Sequence, residues 1–443
     1  MSSSDDLSQV QRETVKKVKW HLLPFLMVGM ICAFLDRVNI GFAALQMNAD
    51  VGLGPAAFGF AAGVFFLGYF VFEVPSNLMM AKLGPRKWLT RIMFTWGIIA
   101  GLTAFCGNAK GLYTFRFLLG VAEAGFFPGL VLYITYWFRT EDHAQAVSWL
   151  FLGSIAGIII GGPLSGWLLG WKALGFRGWQ WLFIVEGLMP MVYAVILWFY
   201  LPDTPEKAKW LRPEQKEWLT KVIAAENAVK ETAKRISVAQ ALTRPGTLLL
   251  FLVYFLTGIG YLGQQLWMPQ LFKSVGKNLS SMQIGMLTML PALCTMVALI
   301  FWSRHSDKTG ERHWHFCIAA YVAACGLLLY LFSANSISLA VLGICITGLG
   351  AAGPQAIFWT AVTQLLGKKE AVAAFALINS GAALGGFVGP YATGIARGIF
   401  GNYSAAMILL ASVYVVAALI MHAFFIKTGI GKSKAARARL ATT

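Results

Sequence analysis

Twelve long apolar stretches follow one another along this 443-residue chain, and they constrain its fold more than any other feature. Crossing the hydrocarbon core of a bilayer takes about 20 residues of α-helix, a length that each stretch reaches. None of the stretches alternates apolar and polar residues, as the strands of a membrane barrel do. Only 12% of the residues are charged, against about 25% in soluble domains. The sequence therefore predicts an all-α polytopic membrane protein.

The predicted spans form two groups of six. They cover residues 22–43, 57–80, 88–107, 111–138, 144–170, 179–201, 247–273, 282–303, 313–333, 336–366, 371–397 and 403–427. We expect an N-terminal tail at 1–21, a six-helix bundle at 22–201, a central loop at 202–246, a second six-helix bundle at 247–427 and a basic tail at 428–443. The central loop opens with LPDTPEKAKWLRPEQKEWL, which predicts a short amphipathic helix on the membrane surface.

Lysine and arginine are distributed unevenly between the two sides of the membrane. If both termini lie on one side, that side holds 28 of the 36 basic residues. The positive-inside rule then makes the termini and the central loop cytoplasmic. The net charge of +17 is explained by topology and suits an anionic lipid leaflet, so we expect membrane lipid and no nucleic acid as a partner. The polar N-terminus shows no cleavable signal peptide.

Cysteine spacing and catalytic motifs give no sign of an enzyme. The six cysteines lie in apolar stretches without CxxC spacing, so we expect no disulfide and no metal site. We find no HExxH, no GxSxG and no cluster of histidine and cysteine. A membrane sensor is a remote alternative, because neither the tails nor the central loop has room for a soluble signalling domain.

An internal repeat relates the two halves. GSIAGIIIGGPLSG in the fifth span resembles SGAALGGFVGPYATG in the eleventh, which puts Gly162-Pro163 and Gly389-Pro390 227 residues apart. Repeats related by an axis along the membrane normal are typical of secondary transporters, whose substrate site lies between the halves near the midplane. Glycine-rich faces also let helices pack closely, which is the alternative explanation for these glycines.

Charge away from the ends of the spans is confined to the N-terminal half. Asp36 and Arg37 stand side by side in the first span, where each would cost about 3 kcal/mol at the centre of a helix. The other charged residues well inside these spans are Glu73, Arg116, Glu123 and Glu186, while Arg91 lies at the start of the third span. The C-terminal spans contain no acid, and the repeat puts Gln264 or Gln265 opposite the Asp36-Arg37 pair. We therefore expect the charge chemistry on one side of a central cavity and a neutral wall on the other.

Arg37 is the first candidate to bind a carboxylate, because a guanidinium matches a carboxylate bidentately and stays charged. Arg116 is the second candidate; a structural role as partner of Asp36 or Glu123 is as plausible. Asp36 and Glu123 are the candidate proton carriers. Burial favours the neutral form of a carboxyl group and a nearby arginine favours the charged form. An arriving anion that competes for the arginine would therefore promote protonation of the carboxyl group. Anion binding would thus be coupled to proton uptake.

Uncharged and aromatic residues complete the predicted cavity. Gln264 and Gln265 are candidate donors from the C-terminal half, and Tyr69, Phe358 and Trp359 could stack on a substrate. For each aromatic residue, core packing or lipid contact is the alternative.

Glu73 and Glu186 have weaker claims to function. Glu73 stands in EVPSN at the cytoplasmic end of the second span, where we favour a gating or structural role. Glu186 could pair near the outer surface.

The loop after the eighth span, SDKTGER, resembles the D-K/R-x-G-R signature of the major facilitator superfamily. The resemblance makes Asp307, Lys308, Gly310 and Arg312 a gating or structural motif. The N-terminal copy, MAKLGPRKW, has Ala81 where the aspartate would fall, so we assign no acid-based latch there.

Four segments resemble one family within that superfamily more closely. FLDRVNIGFAAL, GYFVFEVPSNLMMAKLGPRKW, RFLLGVAEAGFFPG and FALINSGAALGGFVGPY are similar to the anion:cation symporter family, which includes bacterial tartrate, phthalate and hydroxyphenylacetate permeases. The resemblance implies proton-coupled uptake of a small organic anion, such as one of these or a sugar acid, by alternating access. It also places Asn379 at a position that contacts substrate.

These inferences give one main hypothesis and one close alternative. We expect a monomer in the bacterial cytoplasmic (inner) membrane that needs the proton as coupling ion and no cofactor. The alternative is a uniporter or anion exchanger for the same substrates, which would use the arginines without a proton carrier.

Overall fold

The computed structural model describes residues 2–231, 245–334, 336–365 and 371–428. The described residues form fourteen α-helices and no β-strand. The helices are α1 (Ser2–Val51), α2 (Pro55–Leu83), α3 (Pro85–Leu102), α4 (Ala109–Glu123), α5 (Phe126–Trp137), α6 (His143–Leu168), α7 (Gly178–Tyr200), α8 (Pro213–Glu231), α9 (Pro245–Val275), α10 (Ser281–Thr309), α11 (His313–Tyr330), α12 (Ile337–Leu365), α13 (Ala371–Phe400) and α14 (Ser404–Thr428). Nearly all of the predicted basic tail lies outside the described residues.

The predicted all-α membrane fold is confirmed. Within the described ranges, eleven helical segments are long and apolar enough to cross a membrane, with α4 and α5 counted together. The predicted span at 371–397 coincides with α13, a further helix of 30 residues. The predicted span at 111–138 is not continuous, because α4 ends at Glu123 and α5 begins at Phe126.

The two halves pack in the same way. In the N-terminal half α1 packs on α6, α2 on α4 and α3 on α7. In the C-terminal half the corresponding pairs are α9 with α13, α10 with α12 and α11 with α14. The halves meet where α2 packs on α13 and where α10 packs on α6. These two contacts are equivalent, because in the repeat α2 corresponds to α10 and α6 corresponds to α13. This is the pseudo-symmetric arrangement of two six-helix bundles that the repeat predicts.

Glycines hold the halves together toward one end of the bundle. We name the face on which α1 begins and where the turn at 309–313 lies the terminal face, and the opposite one the distal face. A Cβ atom on Gly63 would lie 2.6 Å from the carbonyl oxygen of Phe387, and one on Gly162 would lie 2.5 Å from that of Gly285. Both approaches lie in the distal parts of their helices, so a closed distal face depends on residues without side chains.

The amphipathic helix predicted from residue 201 onward begins only at Pro213, as α8, and residues 201–212 contain no α-helix. This segment and α8 pack on the N-terminal half. Arg212, just before α8, donates to Glu13 of α1 at 2.7 Å. The Trp210 ring stacks on Trp137 of α5 with centroids 5.6 Å apart. The backbone N–H of Thr140 donates to Glu226 at 2.9 Å. The first part of the central loop therefore belongs to the N-terminal half.

Asp142 ties α1 to the turn between α5 and α6 on the terminal face. Lys19 lies 2.8 Å from one of its carboxylate oxygens and Arg139 lies 2.9 Å from the other. Partial burial would raise the pKa of Asp142, but the hydrogen bonds from Lys19 and Arg139 hold that pKa below its usual value. The turn is thus fixed to α1 by charge as well as by packing.

We expect Gly63→Val to hinder closure of the distal face. The added side chain must displace the backbone of α13, and overpacking of this kind costs about 1–3 kcal/mol. The closed population should then fall about tenfold to a hundredfold, which can be measured by labelling cysteines placed in the distal half of the cavity and by transport. Gly398→Val is the matched control, because no atom lies within 4 Å of a Cβ built at Gly398. Equal labelling of both variants would contradict this role for Gly63.

Candidate functional site

An ion pair inside the N-terminal half forms the centre of the candidate site. Nε and Nη2 of Arg37 both donate to Oε1 of Glu123, at 2.8 and 2.5 Å. The Glu123 side chain has no exposed surface, whereas 21% of the Arg37 side chain is exposed. Oε2 of Glu123 has no hydrogen-bond partner among the described residues. The pair therefore joins an enclosed acid to a cation that solvent can reach.

A break in the fourth span places Glu123. This residue ends α4, and Gly125 follows with a φ of 84°, a conformation that L side chains rarely adopt. A Cβ on Gly125 would also meet Oγ of Ser76 at 2.5 Å. The end of α4 carries partial negative charge from its free carbonyl groups, which favours a nearby cation such as Arg37. The turn at Gly125 thus fixes both the acid and the electrostatics around it.

Asp36 is adjacent to Arg37 in sequence but faces a different helix. Successive residues of an α-helix point about 100° apart. Trp96 of α3 donates its indole N–H to Oδ2 of Asp36, and Nδ2 of Asn39 donates to Oδ1 at 3.1 Å. Asp36 is 1% exposed. The structure therefore separates the two residues that the sequence presents as a pair.

Arg116 and Glu186 are enclosed in the N-terminal half. Arg116 is 1% exposed, its Cζ lies 5.1 Å from the Phe65 ring, and Nε and Nη1 have no hydrogen-bond partner among the described residues. Glu186, also 1% exposed, accepts a hydrogen bond from Ser165 at 3.1 Å. Burial among protein groups fits the structural alternative for Arg116 better than direct contact with substrate. Glu186 is therefore enclosed by protein, and Ser165 lies one turn from the distal end of α6.

A row of polar residues leads from the ion pair to the other half. Cζ of Arg37 lies 5.2 Å from the Tyr69 ring, and Glu73 follows one turn along α2. Nδ2 of Asn379 in α13 approaches Oε1 of Glu73 at 3.5 Å. Glu73 thus stands where the halves approach each other nearer to the terminal face. This position agrees with the expected gating role.

The predicted neutral wall in the C-terminal half has two parts. Gln264 and Gln265 are largely buried and line a cavity of about 30 Å³ between α6, α9, α10 and α12. Phe358 is 1% exposed and stacks on Tyr254 with ring centroids 4.8 Å apart, so it packs in the core. Trp359 is half-buried and lies edge-on to Tyr254 at 5.2 Å. Of Phe358 and Trp359, the two residues of the C-terminal half that were predicted to stack on a substrate, only Trp359 has an exposed surface.

The signature loop between α10 and α11 is held by its own residues. Arg312 donates to Asp307 at 2.5 Å and to Oγ of Ser306 at 2.6 Å. Gly310 ends α10 with a φ of 69°, and Lys308 lies in the last turn of that helix. The loop is a compact cap on the terminal face.

The corresponding turn of the N-terminal half receives an acid from elsewhere in the chain. Asp203, in the segment after α7, accepts a hydrogen bond from the backbone N–H of Arg86 at 3.0 Å. Gly84 has a φ of 90° at this turn. A carboxylate does reach the turn whose local motif has Ala81 instead of aspartate.

Sequence reasoning missed the residues that orient the buried acids. Trp96 lies 60 residues from Asp36, and no local pattern links them. Asn39 stands one helical turn after Asp36, so its spacing was a usable signal.

Comparison with known proteins agrees with this architecture. The family model for the Major Facilitator Superfamily matches residues 26–390 and 250–441. A protein of Agrobacterium vitis named "Putative tartrate transporter" is 41% identical over 414 residues, which cover 93% of this chain and 95% of that protein. The "Quinolone resistance transporter" of Acinetobacter baumannii is 36% identical over 422 residues, which cover 94% of this chain and 96% of that protein.

Solved structures show the same fold. The inward open conformation of the xylose transporter XylE from E. coli matches with a TM-score of 0.72 at 15% identity, and covers 91% of this chain and 95% of that chain. A bacterial homolog of the human lysosomal transporter Spinster, in an inward-facing and occupied conformation, matches with a TM-score of 0.70 at 16% identity, over 94% and 97% of the two chains. The chain belongs to the Major Facilitator Superfamily and is a multi-pass membrane transporter, not an enzyme.

Proposed function

We propose that this transporter imports a small organic anion together with protons, by alternating access. One observation carries the proposal: the enclosed carboxylate of Glu123 is paired with Arg37, whose guanidinium side chain is 21% exposed. The same cation can therefore serve an internal acid or an external anion.

Competition for Arg37 provides the coupling. A buried carboxylate is costly without a paired charge or a proton. Substrate carboxylate binds best when it takes two N–H groups of a guanidinium, and Glu123 occupies Nε and Nη2 in the structure. When the anion takes these donors, Glu123 accepts a proton on its carboxylate and becomes neutral. Release of the anion restores the ion pair and returns that proton to the solvent.

The arrangement favours Glu123 over Asp36 as the group that exchanges its proton with substrate binding. Asp36 contacts Trp96 and Asn39 rather than the accessible guanidinium. Asp36 remains a second candidate, since it is an enclosed acid in the same half.

The substrate class follows from the cation and from the relatives. Arg37 binds carboxylate, Tyr69 lies against its guanidinium, and Trp359 of the other half is a half-buried aromatic side chain. The name of the Agrobacterium vitis relative supports tartrate as the first substrate to test. Phthalate, hydroxyphenylacetate and sugar acids are further members of the proposed class.

We place the protein in the bacterial inner membrane as a monomer, with the terminal face in the cytoplasm. The distribution of lysine and arginine supports this orientation. The glycine contacts near the distal face then close the outer side of the cavity.

We expect Glu123→Gln to retain anion binding and exchange but to lose accumulation driven by a pH gradient, because a glutamine side chain does not take up and release a proton in this pH range. Accumulation should fall to the equilibrium ratio in proteoliposomes given an acid-outside pH jump with labelled tartrate. Glu217→Gln is the matched control, since Glu217 lies on the surface of α8 and is 67% exposed. Normal accumulation by the Glu123→Gln variant would exclude its proposed role.

The alternative of a uniporter or exchanger makes the opposite prediction. Such a protein would keep its full activity in Glu123→Gln and in Asp36→Asn, and its uptake by the wild-type chain would not respond to the pH jump. Both results come from the same proteoliposome experiment.

Trp96→Phe should destabilise the protein by about 1–3 kcal/mol, because buried Asp36 loses an N–H donor. Adding Asp36→Asn should recover part of that loss, since a neutral amide costs less to bury. Thermal denaturation of the single and double variants measures the coupling. Trp88→Phe is the control, because it removes an indole N–H from the neutral hydroxyl of Ser76. Equal stability of the two tryptophan variants would show that Asp36 does not depend on Trp96.

A thermal-shift screen of carboxylates tests the substrate class. We expect tartrate or another anion of the proposed class to stabilise the wild-type chain, by about 2.7 kcal/mol at a hundredfold excess over its Kd. Arg37→Ala should abolish that shift, and Arg304→Ala, which changes an exposed residue of α10, should preserve it. The carboxylates that are screened include a quinolone carboxylate. A shift that survives in Arg37→Ala would remove Arg37 from the binding site.

A further inference from the structure

We propose a transition-metal site formed by His313, Cys317 and His422 at the terminal ends of α11 and α14. One nitrogen of each histidine and the cysteine sulfur all lie within 4.8 Å of one another. Nε2 of His313 lies 2.7 Å from Nδ1 of His422. The cluster is separate from the ion pair of Arg37 and Glu123, because it lies wholly within the C-terminal half.

Helix geometry brings the three ligands together. His313 and Cys317 are four residues apart on α11, so they share one face of the helix one turn apart. His422 reaches them from α14, with which α11 packs directly. His313 and His422 are 109 residues apart in sequence, which is why spacing alone predicted no metal site.

The distances suit a small divalent ion after slight adjustment. With Zn–N bonds of about 2.0–2.1 Å, two nitrogen ligands of a tetrahedral site lie about 3.3 Å apart. The two rings therefore need to separate by about half an ångström, and the ion replaces the hydrogen bond between them. The sulfur of Cys317 lies within 4.8 Å of both nitrogens. A tetrahedral site puts sulfur and nitrogen about 3.6 Å apart, so the sulfur has to approach by up to about 1 Å.

The ligand types select the metal. Two imidazole nitrogens and one thiolate form the mixed nitrogen and sulfur set that zinc prefers. Cys317 is fully buried, and its sulfur lies 3.5 Å from the carbonyl oxygen of Ala418. His313 and His422 are partly exposed on the terminal face, which gives an ion a route to the sulfur. Three protein ligands leave the fourth position to water or a small solute.

A second histidine pair nearby offers an internal comparison. Nδ1 of His305 lies 2.6 Å from Nε2 of His315, whose Nδ1 lies 2.5 Å from Glu311. Glu311 also accepts the backbone N–H of Trp314. This pair has no sulfur ligand, so spectroscopy distinguishes it from the proposed site. Because α11 and α14 belong to one half, metal binding stabilises that half without joining the two halves.

Cobalt is the probe for the site. The purified full-length chain, with any affinity histidines removed and treated with a chelator, receives Co²⁺ up to one equivalent. We expect ligand-field absorption of a tetrahedral site and a near-ultraviolet sulfur-to-cobalt charge-transfer band, both lost on adding Zn²⁺. Zn²⁺ should also raise the thermal midpoint of the wild-type chain.

Variants decide the assignment. Cys317→Ala should remove the charge-transfer band, and His422→Ala should weaken Co²⁺ binding at least about tenfold. Cys345→Ala and His315→Ala are matched controls that should keep the wild-type spectrum. Thermal midpoints without metal verify that every variant is folded. Absence of the band at stoichiometric Co²⁺ in the wild-type chain, or its persistence in Cys317→Ala, would overturn the proposal.

Discussion

The ion pair of Arg37 and Glu123 is the interaction on which the rest of the site depends. A membrane interior offers no water to solvate a charge, so an enclosed carboxylate must be paired or protonated. The pair also joins α1 to the broken fourth span, because Glu123 is the last residue of α4. Its geometry is asymmetric: the acid is sealed and the cation is accessible. The proposed competition between Glu123 and a substrate anion for Arg37 rests on that asymmetry.

The contact between the halves depends on close packing, whereas the candidate site depends on paired charges and hydrogen bonds. Within the N-terminal half, the buried acids have partners from the same half: Glu123 pairs with Arg37, and Asp36 accepts a hydrogen bond from the uncharged Trp96. Between the halves, the close approaches at Gly63 and Gly162 rely on backbone packing. Packing of this kind can open without leaving a buried charge unpaired. Both residues of the ion pair belong to the N-terminal half, so separation at these approaches would not itself divide the pair.

The sequence predicted the fold well and the site in part, for identifiable reasons. Hydropathy determines where helices cross a membrane, so the spans agreed with the helices. The break at Gly125 was not predicted, because hydropathy locates a span and does not show where its helix is interrupted. Adjacency suggested that Asp36 and Arg37 act together, but helix rotation turns Asp36 toward Trp96, a partner 60 residues away. Contacts of this kind depend on tertiary packing, which no local pattern encodes.

The turns after α2 and after α10 correspond to each other in the internal repeat. Both contain a carboxylate, although the two halves supply it from different parts of the chain. In the C-terminal half, Asp307 and Arg312 satisfy the turn locally. In the N-terminal half the local acid is missing, and Asp203 supplies a carboxylate from the segment after α7. That substitution links the start of the central loop to the turn between α2 and α3. Together with the contacts of Trp210, it makes the segment leading into α8 part of the N-terminal half, so this segment moves with the charged half of the transporter.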